Sequence, residues 1–152
     1  MDAETSFGLG RELENWGGVE DLPAMRTHYR DAAEAGLVEA MGRLGLLCEG
    51  RTQAKLENRL PAEVQGDFVE AARWYRTAAD RGDLYAAFWL GRLYAERLGD
   101  WAQAEPWYRQ AADAGHDTAR KRLAAGANGA ARRVAEDAYL MHMDKLRGGG
   151  RS

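Results

Sequence analysis

Cys48 and His28 are the residues of this sequence that could pair as a thiolate nucleophile and its imidazole base, the arrangement that attacks an acyl carbon. His116 and His142 stand far from His28 and from each other. No histidine belongs to a His-Glu-x-x-His pattern, which would set two imidazoles one helical turn apart around a metal. Cys48 is the only cysteine, which excludes an intrachain disulfide and a four-thiolate zinc site. The carboxylates are scattered as helix caps and surface charges. No glycine-rich loop of the phosphate-binding or dinucleotide-binding kind is present, and Gly148-Gly149-Gly150 leads into no helix. The sequence therefore predicts no catalytic residue, no metal ligand and no cofactor. What remains is recognition chemistry: Arg92, Lys121 and Arg122, with Arg132 and Arg133, could accept acidic side chains or the C-terminal carboxylate of a peptide.

The elements that must position these groups are legible as a repeat. Ala71-Ala72-Arg73-Trp74-Tyr75-Arg76-Thr77-Ala78-Ala79-Asp80-Arg81-Gly82 matches Ala104-Glu105-Pro106-Trp107-Tyr108-Arg109-Gln110-Ala111-Ala112-Asp113-Ala114-Gly115, 33 residues later. A third copy, Met25 to Gly36, lies 46 residues before the second, so 13 extra residues separate them. After each glycine a second pattern recurs: Ala40, Leu44, Gly45, Leu47; then Ala86, Leu90, Gly91, Leu93; then Ala119, Leu123, Ala124. Leu9-Gly10 with Leu13 reads as the second half of a unit whose first half is missing.

Spacing assigns the secondary structure. Ala71, Trp74, Tyr75, Ala78 and Ala79 fall at i, i+3, i+4, i+7 and i+8, one stripe of an α-helix rather than an alternating strand. Trp74, Tyr75, Trp107 and Tyr108 are thereby expected in the core. Gly36, Gly82 and Gly115 follow the last periodic residue of their helices, where a left-handed cap is expected. Gly45 and Gly91 sit inside helices at a cost of about 1 kcal/mol each relative to alanine, which predicts close helix–helix approach there. Pro106 predicts a kink or a late helix start. The expected layout is a single repeat domain over 1–147: a half repeat at about 3–16, units at about 22–49, 67–98 and 100–126, an insertion at 50–66, a capping helix at about 130–146 bearing Val134, Ala138 and Met141 on one face, and a disordered tail at 148–152.

Composition fits this layout. At 152 residues, 45% hydrophobic and 30% charged with three prolines, the chain is expected to fold, as one domain or one short array. Its formal charge of −3 mixes both signs, so neither nucleic acid nor an anionic membrane is an expected partner. The N-terminal Met1-Asp2-Ala3-Glu4-Thr5 has no leader pattern and no run of 18 apolar residues occurs; a cytoplasmic, non-membrane protein is expected.

The motif Ala-x-x-Trp-Tyr-x-x-Ala-Ala-x-x-Gly of residues 71 to 82, followed by Ala-x-x-x-Leu-Gly-x-x-Tyr in residues 86 to 94, resembles the Sel-one-like repeat (SLR) family, related to tetratricopeptide repeats. The likeness covers about residues 5 to 126, with His28 in place of the tryptophan, Cys48 in place of the tyrosine and Ala124 in place of the glycine. His28 and Cys48 thus fall on structural positions of the repeat. The resemblance implies an all-α, short right-handed α-solenoid of antiparallel helix pairs whose concave surface binds a protein or peptide.

The concave face follows from helical geometry. At about 100° per residue the stripe Ala86, Leu90, Leu93 and Tyr94 leaves Tyr85, Phe88, Trp89, Arg92 and Glu96 on the other side of its helix. Aromatics with arginine are the residue types enriched at binding hot spots. The same positions elsewhere give Glu4, Phe7 and Arg11, then Glu39, Arg43 and Leu46, then Thr118, Lys121 and Arg122. The functional expectation is a scaffold or adaptor binding a protein or peptide in this groove. The alternatives are an inhibitory, immunity-type protein that masks a partner enzyme, or an enzyme or small-molecule binder with a pocket under the insertion. A monomer or weak homodimer is expected, the latter through Leu9 and Leu13.

Overall fold

A computed structural model describes residues 1–50 and 67–148; nearly all of the 50–66 insertion and the end of the 148–152 tail lie outside the described residues. The chain divides into two compact units, Met1–Ala87 and Phe88–Ser152.

In the first unit, α1 (Ala3–Trp16) starts at Asp2, whose carboxylate accepts the Thr5 amide at 2.7 Å. After a short 3-10 turn (Val19–Asp21), α2 (Leu22–Glu34) begins with Pro23 in its first turn, where a missing N–H costs no helical bond. α3 (Val38–Glu49) follows Gly36, and α4 (Phe68–Asp80) starts at Asp67, which accepts the Val69 amide at 2.9 Å and the Glu70 amide at 3.2 Å. α5 (Leu84–Arg92) opens on Asp83, which accepts the amides of Tyr85 and Ala86. Gly36 and Gly82 take φ of 96° and 94°, the left-handed cap expected of them. α1 packs on α2, α2 on α3 and α3 on α4, so α2 and α3 each bury two faces. Met25, Tyr29, Ala32, Ala40, Leu44, Leu47, Ala71, Tyr75 and Ala78 form the core.

The second unit holds the end of α5, a π turn at Leu93–Arg97, α6 (Trp101–Asp113) and α7 (Asp117–Gly148), with α6 packed against both the π turn and α7. α6 starts at its Asp100 cap and runs through Pro106, so no late start occurs. α7 is broken at Gly126, whose φ of 66° and ψ of −163° are non-helical. Beyond that break the helix expected at about 130–146 is present, yet only Ala130 is buried; Val134 and Met141 are 42% and 44% exposed. The face expected to cover the last repeat is largely in solvent.

The core expectation divides by residue type. Tyr75 and Tyr108 are wholly buried, whereas Trp74 and Trp107 are only half-buried, with the Arg73 guanidinium lying over the Trp74 ring at 5.5 Å.

Candidate partner-binding site

The site is built on one contact repeated along the chain. A methyl group placed on Gly10 would lie 2.6 Å from Tyr29 Cε1, on Gly45 2.5 Å from Tyr75 Cε1, and on Gly91 2.8 Å from Tyr108 Cδ1. Each internal glycine therefore seats the tyrosine of the next copy. This close approach is what offsets glycine's poor helix propensity.

Seated this way, the first two hydroxyls reach a carboxylate one helical turn past the glycine. Tyr29 donates to Glu14, which also accepts Arg43 Nη1 at 2.9 Å, and Tyr75 donates to Glu49 at 2.8 Å. Glu14 and Glu49 are buried, so these donors hold charges that would otherwise be costly. Burial, reinforced by the Glu14 carboxylate, pushes the Tyr29 phenol well above its ordinary value.

The third copy departs. Ala95 stands where the carboxylate would be, and Glu96 is one residue further on. The π turn at Leu93–Arg97 absorbs that extra residue. Glu96 accepts Arg122 Nη1 at 3.0 Å and Arg133 Nε at 2.8 Å. The Tyr108 hydroxyl and Arg133 Nη2 are buried with no hydrogen-bond partner among the described residues. Burial raises the Tyr108 phenol above its ordinary value, opposed by the Arg122 guanidinium beside it.

The residues assigned to the partner face spread over several environments. Tyr85 is 58% exposed, while Trp89, Arg92 and Glu96 are half-buried. Phe88 is only 7% exposed: its ring stacks on His116 at a centroid distance of 4.3 Å and lies under the Arg122 guanidinium at 4.9 Å. Phe7 is buried against Tyr29 at 5.7 Å with Arg11 over it at 5.9 Å, and Leu46 is buried. Glu4, Arg11, Glu39, Thr118 and Lys121 are exposed, and Arg43 and Arg122 are half-buried. Phe7 and Phe88 turn inward onto the aromatic rings they pack against, and Leu46 lies on α3, which α2 and α4 flank on two sides. Leu9 and Leu13 are half-buried.

Two clusters result, one in each unit: Phe7, Arg11, Glu14, Tyr29 and Arg43 in the first, and Phe88, Glu96, Tyr108, His116, Arg122 and Arg133 in the second. Glu14, His116 and the tyrosine hydroxyls were not singled out from the sequence. The Gly-x-x-x-Glu spacing shared by Gly10–Glu14 and Gly45–Glu49, and lengthened by one at Gly91–Glu96, is the signal that marks them.

Cys48 is buried, and its thiol is pushed up to about 11, chiefly by burial and then by the Glu70 carboxylate, so the thiolate needed for a Cys–His dyad is disfavoured at neutral pH. Among the described residues no group of three His, Cys, Asp or Glu side chains is placed to hold a metal ion. No described helix is long and apolar enough to cross a membrane.

His116 does capping work that Asp83 and Asp100 do elsewhere: its Nδ1 accepts the Ala119 amide at 3.1 Å. That bond needs Nδ1 unprotonated, and burial, aided by Arg122, holds the imidazole below its ordinary 6.5. With the folded value depressed, the stabilisation is complete above pH of about 6.5 and is lost as pH falls through that value toward the folded one. Thermal unfolding scans between pH of about 7 and 5 should therefore show a midpoint that falls less in His116→Asp than in the parent. Equal falls would sink this assignment.

No protein-family profile and no curated protein matches the chain. Among solved structures, the chain is similar to the crystal structure of a protective antigen present in uropathogenic Escherichia coli strains, displaying an SLR fold, with a TM-score of 0.64, 26% identity, and coverage of 82% of this chain and 26% of that one. The chain is related to the Sel-one-like repeat proteins. It spans about a quarter of the length of that SLR antigen. Seven helices, packed against their neighbours within each unit and with no strand among the described residues, give the all-α class of that SLR-fold protein. In these SLR terms, the glycine–tyrosine seat is what joins one repeat to the next.

Proposed function

We propose that this chain is a protein-interaction scaffold that binds a protein or peptide partner, with Tyr85 as a principal anchor. The observation that carries the reading is the exposure of that ring on a helix whose start is fixed by the Asp83 cap: a large aromatic kept in water on rigid backbone is the residue type that dominates interface energetics. The SLR relationship supports it, since SLR folds typically serve protein–protein interaction. Arg11 and Glu39, exposed in the same unit as Tyr85, are the further residues that would line the partner there.

Tyr85→Ala should weaken an identified partner by about 2 kcal/mol or more in isothermal calorimetry, with circular dichroism unchanged because the ring is largely in solvent. Retained affinity in that folded variant would overturn Tyr85 as an anchor.

A further inference from the structure

Resting on the reading of this chain as a protein-binding scaffold, we infer that Arg122 and Arg133, with the Tyr108 hydroxyl behind them, form a subsite for an acidic side chain of the partner protein. The first repeat contact displays the acceptor that this donor set holds. There Tyr29 and Arg43 converge on the Glu14 carboxylate. Tyr108 and Arg122 occupy the corresponding places at the third contact, where Ala95 replaces the glutamate and Arg133 adds a second guanidinium.

The charge does not balance at this place. Two guanidiniums share the single carboxylate of Glu96, so the trio keeps a net positive charge. The Tyr108 hydroxyl is wholly buried and, like Arg133 Nη2, has no partner among the described residues. Both atoms lack accessible surface, so a partner carboxylate meets the accessible edges of the two guanidiniums, and the unmet donors behind them add to the positive potential there.

The subsite is also pre-organised and within reach. Arg122 is pinned along one edge by Glu96 and lies over Phe88, itself backed by His116. Arg133 is pinned through Nε. A guanidinium fixed on one edge offers its remaining N–H groups as a fork with little further loss of entropy. The two side chains are 21% and 24% exposed, so a partner can approach them. Glu96 holds the donors that the partner would use and so competes with it.

That competition defines the test. A fluorescein-labelled, C-terminally amidated hexaglutamate peptide, titrated at low ionic strength with anisotropy as the readout, should bind saturably, and hexaglutamine should not. Glu96→Gln should tighten binding several-fold by removing the internal competitor, while Arg133→Ala should weaken it roughly tenfold. Should Arg133→Ala unfold, Arg133→Gln removes the charge while keeping the side chain's length. Absence of saturable binding, equal binding of hexaglutamine, or affinity indifferent to both substitutions overturns the subsite. So does a probe that binds only with a free C-terminal acid. Indifference to Glu96 and Arg133 alongside loss of partner binding in Tyr85→Ala would sink the subsite and leave the scaffold standing; dependence on both with no effect of Tyr85→Ala would keep the subsite and overturn Tyr85 as an anchor.

Discussion

Gly45→Ala should destabilise the protein by about 2 kcal/mol, although alanine is the better helix former by about 1 kcal/mol. The added Cβ would lie 2.5 Å from Tyr75 Cε1 and 2.6 Å from Cδ1, closer than packed carbon atoms approach. Tyr75 cannot yield easily, since it is wholly buried and its hydroxyl is held by Glu49 at 2.8 Å. Overpacking of a closed core costs about 1–3 kcal/mol, and the upper part of that range applies where the neighbour is a fixed ring. Gly8→Ala is the matched control, for nothing lies within 4 Å of its added methyl and its φ is not left-handed. There the propensity gain should appear alone. Chemical denaturation midpoints for the two variants should move in opposite directions; a stabilised Gly45→Ala would show that the seat is not close-packed.

Tyr75→Phe should cost about 2 kcal/mol, because it leaves the Glu49 carboxylate, buried to 1% exposure, without its hydroxyl donor. Tyr29→Phe should cost a similar amount, because the Tyr29 hydroxyl makes the corresponding bond to the buried Glu14. Tyr108→Phe removes a buried hydroxyl that meets no carboxylate and has only the Arg122 guanidinium beside it, so it should be close to neutral. The same side chain at the same position of three repeats is thus expected to give effects of very different size. Equal losses in Tyr75→Phe and Tyr108→Phe by denaturant titration would mean that the third hydroxyl has a partner. The contrast also separates stability from binding, since Tyr108→Phe should weaken an acidic peptide while leaving the fold intact.

Much of the fold is periodic, and periodicity is local. Helical spacing and left-handed glycines at positions 36, 82 and 115 depend on residues within a few turns of one another. They were legible for that reason. Gly45 and Gly91 were legible as close contacts because an internal helical glycine needs compensation. Which side of each helix meets solvent was not legible in this way. Phe88 and Tyr85 lie three residues apart on one helix, yet one ring is sandwiched by His116 and Arg122 and the other is in water. Tryptophans expected in the core came out half-buried for the same reason: a stripe wide enough for two neighbours cannot be divided between them by spacing alone.

By itself, then, the sequence determined the helices, their glycine caps and the repeat that joins them, all of which follow from chain-local sterics and hydrogen bonding. Only the tertiary structure decided which hydroxyls meet a carboxylate. Glu14 and Glu49 reach their tyrosines because they sit one turn past the glycine, while the π turn at Leu93–Arg97 carries Glu96 onto two arginines that lie 26 and 37 residues away in sequence. Long-range pairing of that kind depends on how helices pack, which no single helix's spacing encodes.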